Sequence, residues 1–234
     1  MRDNFFEQRP SAAKPGKAMA TLTIASKNYG SWSLRGWLLC KMAGLEFEEE
    51  VAKSDDPATR AELLLLSPSF LVPCLRHDGV KVWDTLAIAE YLTEWNPGAN
   101  LMPADRAARA HCRAISGEMH SGFINLRSAL PMNIKAHYPG FKVWAGAQAD
   151  IDRVCAIWRE CLSTSGGPYL FGSRACIADA MYAPVVTRFR TYDLKLDAQS
   201  RAYCDAIMAM PHMEQWISGA KAEPDDLEEL DVEF

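Results

Sequence analysis

The sequence predicts two consecutive domains, an α/β domain with a mixed four-stranded sheet followed by a domain made only of helices. Short runs rich in β-branched and apolar residues, the pattern of strands, occur before residue 97 and not after it. Helical periodicity dominates the rest of the chain. The segment Asn96-Pro97-Gly98-Ala99-Asn100 separates the two patterns and is typical of a linker. Together these observations predict the order of the two domains.

The first domain begins with a strand, a helix and a second strand. Residues 21–25 form a short β-branched run, and residues 47–51 are the second candidate strand. Between them, residues 28–31 are typical of a turn into a helix whose apolar side chains share one face and which Gly44 ends. Asp56-Pro57 predicts a further helix, because proline suits the first helical position.

A hairpin and a helix complete this domain. Residues 71–75 and 80–83 are predicted to pair around a turn at residues 77–79. A helix follows from Thr85, with its apolar residues on one stripe. Parallel strands followed by a hairpin give a small mixed sheet with helices on its faces.

The second half of the chain contains only helical patterns. Helical segments are predicted at residues 104–130, 150–162, 177–190 and 199–210. The predicted domain bounds are a tail at 1–20, the α/β domain at 21–96, a linker at 97–103, the helical domain at 104–222 and an acidic tail at 223–234.

The composition is that of a globular protein and argues against several classes of function. The chain has 234 residues, of which 49% are hydrophobic and 24% are charged. Its net charge of -5 argues against a nucleic-acid partner, and no apolar run reaches the length of a membrane span. Seven cysteines without paired spacing predict a reduced, cytoplasmic protein, and five dispersed histidines predict no metal site.

Two features of the first domain predict a site for a short, extended, acidic peptide. Pro73 cannot donate to a sheet ladder and holds Val72 extended, so main-chain groups there are free to pair with a peptide. Asp84 and Thr85 are good N-cap residues, and the N–H groups at such a helix start suit a carboxylate. The alternative for Asp84 and Thr85 is a plain helix cap.

These residues resemble the glutathione transferase family over most of residues 21–220. In that family a Val-Pro dipeptide with a cis proline, here Val72-Pro73, pairs with the cysteinyl backbone of glutathione. An acidic-plus-hydroxyl pair, here Asp84-Thr85, holds the γ-glutamyl group. The resemblance implies a thioredoxin-like first domain and glutathione as co-substrate, without a metal. It also implies Leu71 as a glutathione contact, although Phe70-Leu71 lack a polar contact to the glycyl carboxylate that many members have.

A third motif of the resemblance lies in the second domain. The family's helix start, Ser or Thr followed three residues later by Asp, resembles Cys176-Ile177-Ala178-Asp179. The resemblance implies that Asp179 is a buried folding element and not a catalytic one. Because Cys176 replaces the usual hydroxyl, we expect the capping box to lack one of its two hydrogen bonds, worth about 1 kcal/mol.

The family's catalytic group is a Tyr, Ser or Cys near the start of the first helix, where this chain has residues 28–33. The stretch has no cysteine, which disfavours disulfide exchange. The thiol pKa of about 8.5 falls by ~2 units if the site stabilises the thiolate over the thiol by ~2.7 kcal/mol. One hydrogen bond to a charged group, ~1.5–3 kcal/mol, together with the helix dipole is sufficient.

Ser31 is the first candidate for this hydrogen bond, Tyr29 the second, and Asn28 an alternative amide donor. Alignment with the Ser-Ser-Cys stretch of zeta-class members places the catalytic serine at Asn28 or Tyr29. Other serine classes place it nearer Ser31. The alternative reading is that Ser31 or Ser33 only caps the helix and that Tyr29 is a turn residue.

His120 and Arg127 are the candidate electrophile site, because they lie on the helical segment predicted to face the first domain. The alternative for His120 is a structural or exposed histidine, which is the commoner role of a lone histidine on a helix. The resemblance implies a cytoplasmic homodimeric transferase that joins glutathione to a hydrophobic electrophile, a detoxification reaction. The alternatives are a zeta-like isomerase acting through the same thiolate and a non-catalytic interaction protein. Neither a nucleic acid nor a membrane is expected as a partner.

Overall fold

The computed structural model of the protein describes residues 20–52 and 72–223. Its sheet consists of β1 (Ala20–Ile24), β2 (Phe47–Val51), β3 (Cys74–His77) and β4 (Val80–Trp83). The strands lie in the order β2-β1-β3-β4. β1 pairs in parallel with β2 and antiparallel with β3, which pairs antiparallel with β4. The predicted mixed four-stranded sheet is therefore confirmed.

The described part of the chain after the sheet is helical, as predicted. The helices are α1 (Ser31–Met42), α2 (Thr85–Trp95), α3 (Arg106–Ser121), α4 (Ile124–Ala129), α5 (Ala145–Ser165), α6 (Ile177–Thr191), α7 (Ala198–Met208) and α8 (Pro211–Ala222), with a short 3-10 helix at Pro97–Ala99. No helix among the described residues combines the length and the apolarity needed to cross a bilayer. The helix predicted to begin at Asp56-Pro57 lies outside the described residues.

The single helical segment predicted at residues 104–130 is two helices. α3 ends at Ser121, and the backbone of Phe123 has a φ of 57°, in the left-handed region, which separates α3 from α4. A further helix, α8, follows α7 directly, and Pro211 occupies its first position, where the missing N–H has no intrahelical partner to lose.

The start of α6 is organised by the buried carboxylate of Asp179. It accepts hydrogen bonds from the backbone N–H groups of Cys176 at 2.8 Å and Leu170 at 3.1 Å, and from the hydroxyl of Tyr203 at 3.1 Å. The Sγ of Cys176 stands at the place of the usual hydroxyl in the capping-box arrangement, but it makes no side-chain capping hydrogen bond of its own.

Three segments of the chain converge at one end of the sheet. Thr23 of β1 pairs with Cys74 of β3, and Cys74 pairs with Trp83 of β4. β1 and β4 consequently end, and β3 begins, at the same edge. The loop before α1, the Val72-Pro73 dipeptide and the start of α2 lie side by side there.

Candidate functional site

The Val72-Pro73 dipeptide presents a main-chain edge that is unpaired within the described residues. Its peptide bond is cis, and β3 begins at Cys74, two residues after Val72. The backbone N–H and C=O of Val72 bond to no residue that the structure describes. α1 packs directly behind the dipeptide, since a Cβ atom at Gly36 would lie 2.6 Å from the ring of Pro73. Leu71, the neighbouring predicted contact, lies outside the described residues.

The start of α2 combines a strained cap with a hydroxyl that has no partner. Asp84 adopts φ 75° and ψ 137°, and its Oδ1 accepts the N–H groups of Leu86 at 2.8 Å and Ala87 at 3.3 Å. Thr85 is only 1% exposed, and its Oγ1 bonds to no residue in the described part of the chain. A buried hydroxyl without a partner costs free energy, so its presence here calls for an acceptor.

His120 reaches across the domain boundary to Asp84. Its Nε2 lies 2.5 Å from Oδ2 of Asp84, the carboxylate oxygen that α2 leaves unused. The imidazole also stands edge-on to the ring of Trp32, with centroids 5.1 Å apart. The Asp84 cap and the His120 electrophile candidate, which were predicted as separate sites, are therefore in direct contact.

The hydroxyls at the start of α1 have different surroundings. Ser33 Oγ accepts the backbone N–H of Ala25 at 2.9 Å, so it ties the helix to the end of β1. Ser31 is buried, and its hydroxyl bonds to no described residue. Tyr29 is buried against Ala25 and Val72. Of the two serines, Ser31 is therefore the one with a hydroxyl uncommitted within the described residues.

Asn28 is an anchor between the two domains. Its Nδ2 donates to Oδ1 of Asn133 at 2.9 Å, and its Oδ1 accepts the backbone N–H of Lys135 at 2.9 Å. Its own carbonyl accepts the N–H of Ile134 at 3.3 Å. Asn133 and Lys135 could not be identified from the sequence, because nothing near either residue indicates a partner more than a hundred residues earlier.

Glycine is required between this anchor and α1. A Cβ atom at Gly30 would lie 2.4 Å from the carbonyl oxygen of Ser26, which accepts the N–H of Gly30 at 2.8 Å. The close backbone approach explains why residue 30 carries no side chain, although it adjoins the predicted catalytic position.

The guanidinium of Arg35 is buried behind the start of α1, and only some of its N–H groups are hydrogen-bonded to described residues. Its side chain is fully buried and donates to the carbonyls of Met181 at 2.8 Å and Ser31 at 3.3 Å, while Nη2 has no partner among the described residues. The guanidinium lies 4.5 Å from the ring centre of Trp32. No pattern in the sequence assigns a role to Arg35.

Two further arginines add to this positive charge. Arg127 lies 5.6 Å from the ring centre of Trp32, and Arg188 is buried against the carbonyl of Leu130. Burial lowers the pKa of Arg35 well below its ordinary value, and the charges of Arg188 and Arg127 lower it further. Burial, then Arg127, lowers the pKa of Arg188 to about 10. No described carboxylate lies within ion-pair distance of any of the three guanidinium groups.

Metal ligands and disulfides do not contribute to the site within the described residues. No three His, Cys, Asp or Glu side chains there are placed to hold a metal ion. All seven cysteines are buried and unbridged.

Both halves of the chain match protein families. Residues 29–95 match the family described as glutathione S-transferase, N-terminal domain, and residues 121–218 match glutathione S-transferase, C-terminal domain. A probable maleylacetoacetate isomerase of Caenorhabditis elegans is 30% identical over 169 residues, 71% of this chain and 77% of that protein. The maleylacetoacetate isomerase of Rattus norvegicus is 30% identical over 71% of this chain and 76% of its own length.

Solved structures share the fold. A glutathione transferase homolog from Burkholderia gl BGR1, with bound glutathione, matches with a TM-score of 0.65 at 22% identity, over 88% of this chain and 100% of its own. A maleylacetoacetate isomerase from Anaeromyxobacter dehalogenans 2CP-1, with bound GSH in the active site, matches with a TM-score of 0.62 at 23% identity, over 89% of this chain and 99% of its own.

Proposed function

Since this chain belongs to the glutathione S-transferase family, we propose that it binds glutathione and stabilises the thiolate for attack on an electrophilic small molecule. One observation carries the proposal. The main-chain edge at Val72 and the hydroxyl of Thr85, neither of which has a hydrogen-bond partner among the described residues, lie at the same end of the sheet. An extended peptide paired with Val72 would bring its carboxylate to the Thr85 hydroxyl, which has no acceptor among the described residues.

Thiol activation is assigned to the start of α1, with Ser31 as the donor. A cysteinyl group paired with Val72 lies beside this helix start, whose first N–H groups favour an anion. The Ser31 hydroxyl, uncommitted within the described residues, then donates to the thiolate. Tyr29 is the second candidate. Asn28 fits the role of anchor better than that of donor, since both ends of its amide are engaged.

The electrophile is assigned to the space around Trp32, where His120 and Arg127 approach from the second domain. A hydrophobic ring and a guanidinium with no described carboxylate within ion-pair distance suit an apolar molecule that carries a carboxylate. This observation favours a second candidate function, the glutathione-dependent isomerisation of an unsaturated dicarboxylic acid. The relatives named maleylacetoacetate isomerase support it, although this chain has Asn28-Tyr29-Gly30 where zeta-class members have Ser-Ser-Cys.

Calorimetric titration with glutathione, followed by two assays, tests the proposal. One assay measures conjugation of glutathione to a neutral aryl halide, and the other measures glutathione-dependent cis–trans isomerisation of a maleyl diketo acid. We expect micromolar to millimolar binding and turnover in at least one assay. Binding without turnover in either assay favours a non-catalytic interaction protein, and absence of binding contradicts the proposed site.

Arg127→Ala distinguishes a carboxylate-bearing electrophile from a neutral one. Loss of a charge-assisted hydrogen bond of about 1.5–3 kcal/mol is expected to raise KM for the acid at least about tenfold, with KM for the aryl halide unchanged. Arg174→Ala, at an exposed position in the same domain, is the control. Equal changes in KM for both electrophiles would show that Arg127 does not recognise the carboxylate.

A cytoplasmic homodimer is part of the proposal. β4 and α2 expose Trp83 at 50%, Val80 at 46% and Trp95 at 39%, an apolar surface that a second copy of the chain would cover. Seven unbridged cysteines suit a reducing compartment. Detoxification of hydrophobic electrophiles is the role that fits this chemistry.

A further inference from the structure

We propose that Glu223 is a positioning residue for the loop that activates the thiol. Its carboxylate, at the C-terminal end of α8, fixes residues 26–28 ahead of α1. The inference rests on the proposed function for its effect on catalysis, whereas the contacts themselves are independent of that function.

The carboxylate of Glu223 is bound by consecutive residues of the loop. The backbone N–H of Lys27 donates to Oε1 at 2.6 Å. The hydroxyl of Ser26, at 2.6 Å, and the N–H of Asn28, at 3.2 Å, both donate to Oε2. Successive donors of this kind form a concave site for anions, and hydrogen bonds to a charged acceptor are roughly twice as strong as neutral ones.

The second domain holds Glu223 in this position. Trp216, buried in α8, donates its Nε1 to the carbonyl of Lys27 at 3.0 Å, which fixes the helix against the loop. The chain leaves the helix at Glu223 with φ -64° and ψ 129°. The backbone carbonyl of Glu223 accepts a hydrogen bond from the ammonium group of Lys135 at 2.7 Å, so the main chain of Glu223 is fixed as well as its side chain.

The loop transmits the position of Glu223 to the start of α1. Ser26 bonds to Glu223 through its hydroxyl and to Gly30 through its carbonyl, and Gly30 precedes Ser31. Asn28 contributes its N–H to Glu223 while its side chain bridges to the second domain. Movement of the loop therefore displaces the helix start, and a misplacement of about 1 Å costs on the order of 100-fold in rate.

The inference predicts a specific kinetic pattern. Glu223 touches none of the groups assigned to the glutathione backbone, which lie within residues 72–85. Removing its carboxylate is therefore expected to lower kcat and to raise the pKa of the bound thiol, with KM for glutathione almost unchanged. A merely structural role predicts a lower Tm with an unchanged kcat for the folded enzyme.

Steady-state kinetics of Glu223→Ala and Glu223→Gln in the full chain provide the test. We expect Glu223→Ala to lower kcat at least about tenfold and to change KM for glutathione less than about twofold. Glu223→Gln is expected to be intermediate, because its amide oxygen keeps one acceptor. Glu214→Gln, exposed on the same helix, is the matched control and is expected to keep wild-type values.

Amide hydrogen exchange at Lys27 and Asn28 separates this inference from the proposed function. Faster exchange together with lower kcat in Glu223→Ala supports the inference, and wild-type exchange or wild-type kcat overturns it. If the wild-type chain shows no glutathione-dependent turnover, the proposed function fails. Exchange at these two amides then decides alone whether Glu223 fixes the loop.

Discussion

The two halves of the proposed site are built from different parts of the chain. The edge assigned to the glutathione backbone lies within residues 72–85, joined by one strand pair and one helix start. The loop at residues 26–31 is held by Asn133, Lys135 and Glu223, all far along the sequence. In the proposed site, the residues assigned to the glutathione backbone are thus close in sequence, whereas the residues that hold the loop assigned to thiol activation are far apart. Glutathione affinity and thiol reactivity are therefore expected to be separable by mutation.

Gly36→Ala is the change expected to damage the binding edge most. The added Cβ would lie 2.6 and 2.7 Å from the ring of Pro73, so α1 or the dipeptide must move. Overpacking of this kind costs about 1–3 kcal/mol. We expect a lower Tm and at least about tenfold weaker glutathione binding in calorimetry. Gly117→Ala in α3, where a Cβ meets nothing within 4 Å, is the control and should stabilise the protein slightly.

Thr85→Val tests the same edge without disturbing the packing. The hydroxyl has no partner in the described structure, so its replacement by an isosteric methyl should leave Tm unchanged or raise it slightly. Glutathione binding should weaken about tenfold, because a hydrogen bond to a charged carboxylate is lost. Thr93→Val on the same helix is the control. A fall in Tm without a change in affinity would show that Thr85 serves only the fold.

Glu49→Gln tests, through pH, how far the loop depends on distant partners. Burial raises the pKa of the Glu49 carboxyl, but hydrogen bonds from Lys27 and Trp37 and the charges of Lys27 and Lys41 together lower it by more, so the folded value lies below 4.5. A lowered folded pKa stabilises the protein above pH 4.5, and this stabilisation is lost as the pH falls through the folded value. Since Glu49 is partly exposed, the effect should be below about 1 kcal/mol.

Chemical unfolding at about pH 5 and about pH 3 measures this effect. The wild-type free energy of unfolding should fall more than that of Glu49→Gln. Glu48→Gln, an exposed neighbour on β2, should behave like the wild type. Equal pH dependence in all three proteins would mean that the Lys27–Glu49 pair contributes nothing to the loop.

The same division between local and distant contacts explains what the sequence revealed. Strand pairing around a turn and an N-cap pair at Asp84-Thr85 are local patterns, so the β3–β4 hairpin and the start of α2 were predictable. The contact between His120 and Asp84 spans 36 residues, and no periodicity indicates it. Arg35 bonds to the carbonyl of Met181, and a main-chain acceptor has no sequence signature. The break at Phe123 was missed for a different reason, since its left-handed backbone is rare for a bulky residue.

The central claim is that Ser31 activates the thiol while Thr85 only binds the peptide. Thiolate absorbance of bound glutathione, titrated against pH in wild type, Ser31→Ala and Thr85→Val, tests it most directly. The account predicts that Ser31→Ala raises the bound thiol pKa by about 1–2 units with unchanged affinity, since one hydrogen bond to a charged group is worth ~1.5–3 kcal/mol. Thr85→Val should weaken affinity and leave that pKa unchanged. An unchanged thiol pKa in Ser31→Ala would contradict the account.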